Sequence, residues 1–390
     1  MTSDVMRPDD AILDEVVHLR EWATDRIHLL PRMQSLDHIV GESEGEELTP
    51  TGQRTPWSHV RLTYARQQQR WWIHDLERRS GLRQDGVHRD AFMLVPGVEI
   101  AIGGTILIAE NRRSIALRAF CQRLLGWASD PALVDHALRS IRAAKIRRAA
   151  LVLLGDGDLV PVAHALHRRT LGLAAPFVVC DRRRRDISAS IRSPANHESG
   201  VDALEAASGG TLCVRGRRLP SDFPALVDRL HVADRSAQLM VLDRGDRRLL
   251  LAGPMPICLP PLSSRVLELP RIIEEYAAEA IIALNASPTC FTRIDLEWVL
   301  TYAATSLDEI EKACQRIVAL NASSNLSQAA GLLGMAPVSL SRWVSRRSPL
   351  EMVCTRRLVP PPSDDTGGNR GDGPGPRQLT DATHNSMGDT

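Results

Sequence analysis

Short apolar runs separated by turn residues fill residues 21–110: RIHLL, HVRLTYA, RWWIHDL and VEIAIGGTILIAE. Alternation of that period, punctuated by glycine, predicts a β-sandwich. Near Asn111 the period changes, and SIALRAFCQRLLGW sets Ile115, Leu117, Phe120, Leu124 and Leu125 on one helical stripe. Residues 111–265 then alternate helical stretches with the short β-rich runs AALVLL, APFVVCD, GGTLCV and AQLMVLD. That order predicts an α/β domain with a mostly parallel sheet. Residues 266–320 read as a helical lid, and 321–348 as a terminal helix pair. Residues 1–20 read as an N-terminal arm, loose or helical. The Pro/Gly-rich stretch 359–390 is a polar tail unable to bury a core, and is expected to be disordered.

The terminal pair is the most informative segment. In NLSQAAGLLGMAPVSLSRWVSRR, Ser327 is placed to cap a short helix carrying Ala329, Ala330 and Leu333. Gly334 supplies a turn, and Pro337 suits the first position of the next helix. Leu340 and Val344 then point inward, leaving Ser339, Ser341, Arg342, Ser345 and Arg346 outward. Hydroxyls and guanidiniums on one helix face suit phosphates and base edges in a major groove. These five are the candidate DNA-binding residues, with double-stranded DNA as partner. One such helix makes few contacts, so a homodimer or higher oligomer is expected. The plainer alternative is a helical hairpin that closes the preceding bundle.

Composition narrows the field. The chain has 390 residues, net charge +1, 43% hydrophobic and 24% charged residues, so no overall field draws it to nucleic acid or anionic membrane. The seven cysteines form no C-x-x-C pair and read as reduced core residues of a cytoplasmic protein. The first residues lack a signal peptide's pattern, no apolar run is long enough to span a membrane, and no metal site is expected. His164 and His167 lie one helical turn apart without a third ligand nearby in sequence, and read as a solvated face. The run DRRRRD at 181–186 likewise reads as a solvated loop.

The stretch LVLLGDGDLVPVAHALHRRT has the outline of a phosphate-binding loop: strand, glycine turn, helix. It lacks the chemistry. Asp156 and Asp158 stand where phosphates would sit, and the only lysines in the chain are Lys145 and Lys312. A carboxylate ~5 Å from a phosphate charge, at an effective dielectric near 20, repels it by roughly 3 kcal/mol. Lys145 precedes the strand and belongs near its far end.

Three regions resemble known families. NxxxAAxxLG followed by SLxR resembles the Fis-type helix-turn-helix that ends many sigma-54-dependent activators, although Trp343 stands where that family is usually basic. Residues 112–320 resemble the AAA+ ATPase domain of the same activators, through GVDALEAASGGTLCVRG, LPPLSSR and LEWVLTYAATSLDEIEKACQRIVAL. Where that family carries its second acidic motif, this chain has Arg215 and Gly216; Asp308 stands at the sensor arginine, and the GAFTGA loop is missing. The resemblance therefore implies an ATPase-derived core that binds no cofactor and is no longer an enzyme. Residues 70–110 resemble the second half of a forkhead-associated (FHA) domain, a phosphothreonine-binding fold. Its phosphate-contacting positions are altered: Glu42, Pro56, Trp57 and Ser80 replace them, with His59 kept.

The expected architecture is therefore multidomain, with an FHA-like sandwich, a degenerate AAA+ core with its lid, and an all-α helix-turn-helix. The expected function is a DNA-binding transcriptional regulator without ATP hydrolysis, with a possible protein partner on the FHA-like domain. The alternative is a signalling scaffold that assembles through those domains without DNA.

Overall fold

The computed structural model describes residues 15–30, 60–65, 68–76, 81–147, 149–183, 185–188, 194–230, 237–245 and 254–346. Its N-terminal part is a pair of antiparallel sheets. The larger contains β1 (His18–Glu21), β2 (Ile27–Leu29), β5 (Arg83–Gln84), β6 (Val87–His88), β8 (Glu99–Ile102) and β9 (Thr105–Glu110), in the order β2-β1-β9-β8-β5-β6. The smaller orders β3 (Val60–Ala65), β4 (Arg70–Asp75) and β7 (Ala91–Met93) as β3-β4-β7. Inward residues of the alternating strands, among them Leu19, Ile73, Ile100 and Leu107, are fully buried in one shared core. Asp85 and Gly86, with φ of 48° and 85°, make the two-residue hairpin between β5 and β6, the conformation an Asp-Gly pair favours. The sandwich begins earlier than the sequence pattern suggests. Val16 and Leu19 are in its core and β1 pairs with β9, so the end of the expected 1–20 arm is a central strand.

The second part is a six-stranded, all-parallel sheet of β10 (Leu151–Leu154), β11 (Phe177–Cys180), β12 (Ala195–His197), β13 (Thr211–Arg215), β14 (Gln238–Asp243) and β15 (Ile257–Cys258). The order is β12-β11-β13-β14-β10-β15. Both faces are covered, so the strands are continuous apolar runs. Leu151, Leu153 and Val179 face α1 (Arg112–Leu125), α2 (Pro131–Arg147) and α3 (Val160–Thr170). Val152, Val178 and Val214 face α4 (Gly200–Ala206) and α5 (Phe223–Leu230). Gly210 enters β13 so close to the preceding strand that an added Cβ would lie 1.9 Å from the Pro176 carbonyl oxygen, which excludes any side chain there.

The third part packs α6 (Leu269–Ala283), α7 (Arg293–Tyr302) and α8 (Leu307–Asn321) around Ile272, Ile273, Val299 and Ile310. Buried arginines fasten it to the sheet domain. Arg265 donates to the terminal carbonyls of α1, at Leu124 and Arg123, while Arg123 reaches Glu279 at 2.9 Å and lies over the Tyr276 ring. No helix among the described residues is long and apolar enough to cross a membrane. Cys121, Cys180, Cys213, Cys290 and Cys314 are buried free thiols, whereas Cys258 is exposed, contrary to its reading as a core residue.

The histidine pair also departs from the sequence expectation. His167 is 1% exposed, its ring held between the Thr211 hydroxyl at 2.8 Å and the Ala175 carbonyl at 3.0 Å; His164 stacks against it and lies tilted against Phe177. A solvated face fails because β13 supplies a buried hydroxyl partner that local periodicity does not register. Burial lowers the pKa of both rings, reinforced by Arg168 and, for His167, opposed by its bond to Ala175. A depressed folded pKa means that the unfolded chain binds protons first. Stability is therefore full above the unfolded value near 6.5 and is lost as pH falls through the lower folded values. Denaturant midpoints should fall between about pH 7.5 and about pH 5.5, and a His164→Gln/His167→Gln variant should show a shallower fall. Parallel profiles would mean that the two rings do not contribute.

Candidate functional site

Two regions bear on function: the terminal helix pair and the cleft at the C-terminal edge of the parallel sheet. The pair is α9 (Leu326–Leu332) and α10 (Pro337–Ser345), joined by a turn in which Gly334 has φ of 59°. Asn325, not Ser327, caps α9, its side chain accepting from the Gln328 amide at 2.8 Å. Ser327 lies two residues further on, at the second position of the helix. Ala329, Ala330 and Leu340 are fully buried with Ala319 of α8, so small side chains let the two helices approach closely.

Ser339, Arg342, Ser345 and Arg346 are exposed, and Ser341 is half-buried. Residues 339, 342 and 346 follow the i, i+3, i+7 spacing of one helix face. The Ser345 hydroxyl donates to the Ser341 carbonyl at 3.0 Å, which leaves its lone pairs outward. From 322 to 346 the chain has two arginines and no acidic residue. Neither guanidinium has a carboxylate partner among the described residues, so the face is cationic.

Trp343 turns away from that face. Its ring meets Trp298 of α7 edge-on at 5.6 Å, and the Arg316 guanidinium of α8 lies 5.1 Å from its centroid. Val344, expected inside, is half-buried. The indole therefore supplies the inward contact and ties α10 to the lid helices. A family resemblance that marks 343 as basic conceals this packing role.

The cleft lies above Gly155–Leu159, the loop from β10 to α3. Gly157 has φ of 79°, and Leu159 drops into the core. Asp158 accepts from Arg215 at 2.9 Å. Asp181, completely buried, takes Arg218 at 3.1 Å and faces the Arg215 Nε at 3.6 Å. An alternating chain Asp158–Arg215–Asp181–Arg218 thus crosses the ends of β10, β11 and β13. Asp181 opens the expected solvated run 181–186, and anchors this network instead. The remaining space is a cavity of about 200 Å³ lined by Gly155, Gly157, Arg215, Arg217, Asp243 and Arg244. The Asp243 Oδ2 atom is buried there without a hydrogen-bond partner among the described residues.

No lysine reaches the loop. Lys145 lines a different cavity beside Leu151, at the far end of β10, and Lys312 pairs with Asp308. The lid closes over the cleft, with Leu307 packed on the sheet core and Ser306 beside Gly157. Among the described residues no cluster of His, Cys, Asp and Glu is placed to hold a metal. Glu42, Pro56, Trp57, His59 and Ser80 lie outside the described residues, as do 359–390.

No protein-family model matches this chain, and no curated protein matches it. Among solved structures it is similar to NtrX from Brucella abortus, at 13% identity and a TM-score of 0.33, over 60% of this chain and 71% of that one. A second structure of NtrX from Brucella abortus, in complex with ATP, matches with the same identity and TM-score over 72% of its length.

Proposed function

We propose that this chain is a DNA-binding transcriptional regulator related to sigma-54-dependent activators, acting by promoter occupancy and protein contacts without ATP hydrolysis. The observation that carries the reading is the α9–α10 pair. It presents Ser339, Arg342 and Arg346 on one face, in a segment free of acidic residues. That is the arrangement a helix needs to neutralise phosphates while its hydroxyls and guanidiniums reach base edges. In this reading the pair is the Fis-type helix-turn-helix, the sandwich is the FHA-like domain, and the sheet with its lid is the ATPase-derived core.

The cleft supports the absence of hydrolysis. Phosphoryl transfer needs cations on the phosphates and carboxylates on magnesium. Here a carboxylate occupies the loop, an arginine stands in the acidic motif, and the two neutralise each other as Asp158–Arg215. Each substitution is a loss for catalysis, yet together they form an internal ion pair across the vacated site. The scaffold alternative draws on Trp343, whose packing would equally serve a hairpin that only closes the bundle.

Selection of fragments from random genomic DNA by the full-length protein separates the two. The regulator should enrich a shared motif, with half-sites spaced about 34–36 Å if it binds as a two-fold dimer. Arg342→Ala/Arg346→Ala should abolish the enrichment and reduce the salt slope of residual binding by about two phosphate contacts. Equal binding by the variant, or no enrichment at moderate salt, would overturn the DNA reading and favour the scaffold.

A further inference from the structure

A second, larger cavity of about 530 Å³ opens where the sandwich, the α1–α2 hairpin and the N-terminal edge of the parallel sheet meet. Its walls include Ile108 of β9, Leu117 of α1, Leu138 and Ile141 of α2, and Met240 of β14. A cavity of this size and apolar character, at a domain joint, has the usual form of a small-molecule site.

Its charges are not symmetric. The acidic groups on the walls are already engaged in hydrogen bonds: Glu110 with His18 and Arg20, Asp135 with the same Arg20, and Glu99 with the Arg139 Nε and one of its terminal nitrogens, both at 2.6 Å. Arg142 pairs with Asp85, Arg169 shares Glu279 with Arg123, and Arg113 adds a further guanidinium to the wall. Lys145, exposed at the wall, has no carboxylate partner among the described residues. An apolar chamber whose carboxylates are all engaged, with an unpaired ammonium at its wall, selects for charge as well as for shape.

We propose that this cavity binds an amphipathic organic anion, its apolar body among Ile108, Leu138 and Met240 and its carboxylate on Lys145. Such a ligand touches the sandwich, the helical hairpin and the sheet at once, so it tightens the joint between domains. The site stands on its own and does not depend on DNA binding.

The probe is decanoate, kept below its micelle concentration and titrated calorimetrically into the full-length protein, with decylammonium as the charge-reversed control. Saturable 1:1 binding of decanoate is expected, with decylammonium at least tenfold weaker. Lys145→Glu, an exposed substitution that leaves the core alone, should weaken decanoate at least tenfold and remove the preference for the anion. Leu138→Trp, which fills the chamber, should abolish binding of both while the denaturant midpoint shows that the variant is folded. No saturable heat with decanoate, or equal affinity in wild type and Lys145→Glu, would overturn the proposal. So would decylammonium binding as well as decanoate.

Discussion

Arg20→Ala is expected to destabilise the protein by about 3–5 kcal/mol, because it strands two buried carboxylates. Arg20 is 1% exposed, on a strand that faces α2 across the joint between sandwich and sheet domain. Its Nε donates to Glu110 Oε1 at 2.9 Å, and one terminal nitrogen donates to Asp135 Oδ2 at 3.1 Å and to the carbonyls of Glu21 and Thr24 at 3.0 Å. The other terminal nitrogen binds Asp135 Oδ1. Burial by itself would lower the Arg20 pKa; the bond to Asp135 and the charges of Glu110 and Asp135 outweigh it and raise it.

The arginine is therefore satisfied only as a cation, and its partners only as anions. Removing it leaves Glu110 and Asp135, 2% and 1% exposed, without their shared counter-charge. Guanidinium-induced unfolding, followed by tryptophan fluorescence, measures the loss. Arg118→Ala is the comparison, since its partner Asp25 has a largely exposed side chain and such pairs contribute roughly 0–1 kcal/mol. A loss no larger than that of Arg118→Ala would mean that the joint is held by apolar packing, with the ionic cluster incidental. Beside the cluster, Trp22 sits under Arg139 at 3.9 Å and edge-on to His136, adding an aromatic contact between sandwich and α2.

That joint was illegible in the sequence, for a specific reason. Arg20 falls at the end of the stretch that reads as an N-terminal arm, and its partner Asp135 lies 115 positions away. Local periodicity reports which residues share a face, not which distant element that face will meet. The same limit hid His167, whose partner Thr211 is 44 positions on, and split Asp158 from Arg215, legible as two separate defects but not as a pair. What periodicity does report came through well. Alternation marked the sandwich strands, helical stretches alternating with short β-rich runs marked the parallel sheet, and the change of period at Asn111 marks a helix start that is capped by that residue. On α10 the outward placement of Ser339, Arg342 and Arg346 follows from Leu340 alone, because one buried position fixes the phase of a helix.

Trp343→Ala should loosen the terminal helix pair without touching its cationic face. The indole is half-buried, so the expected cost is roughly 2–3 kcal/mol, below the range for fully buried aromatics. It falls on a short local unit. Apart from Trp343, the pair is held by Ala329, Ala330 and Leu340 against Ala319, with partly buried neighbours such as Leu333 and Met335. Amide exchange along α10 should therefore accelerate by about 30- to 160-fold, while protection in β10 and β14 stays unchanged. On DNA, Trp343→Ala and Arg342→Ala/Arg346→Ala should part company. The tryptophan variant keeps both guanidiniums, so its affinity drops with the salt slope intact, because the pair must first be ordered. The arginine variant loses slope, because counterion release scales with phosphate contacts. Unchanged exchange in Trp343→Ala would show that the pair orders without the indole, whose contact with Trp298 and Arg316 would then set only where α10 points.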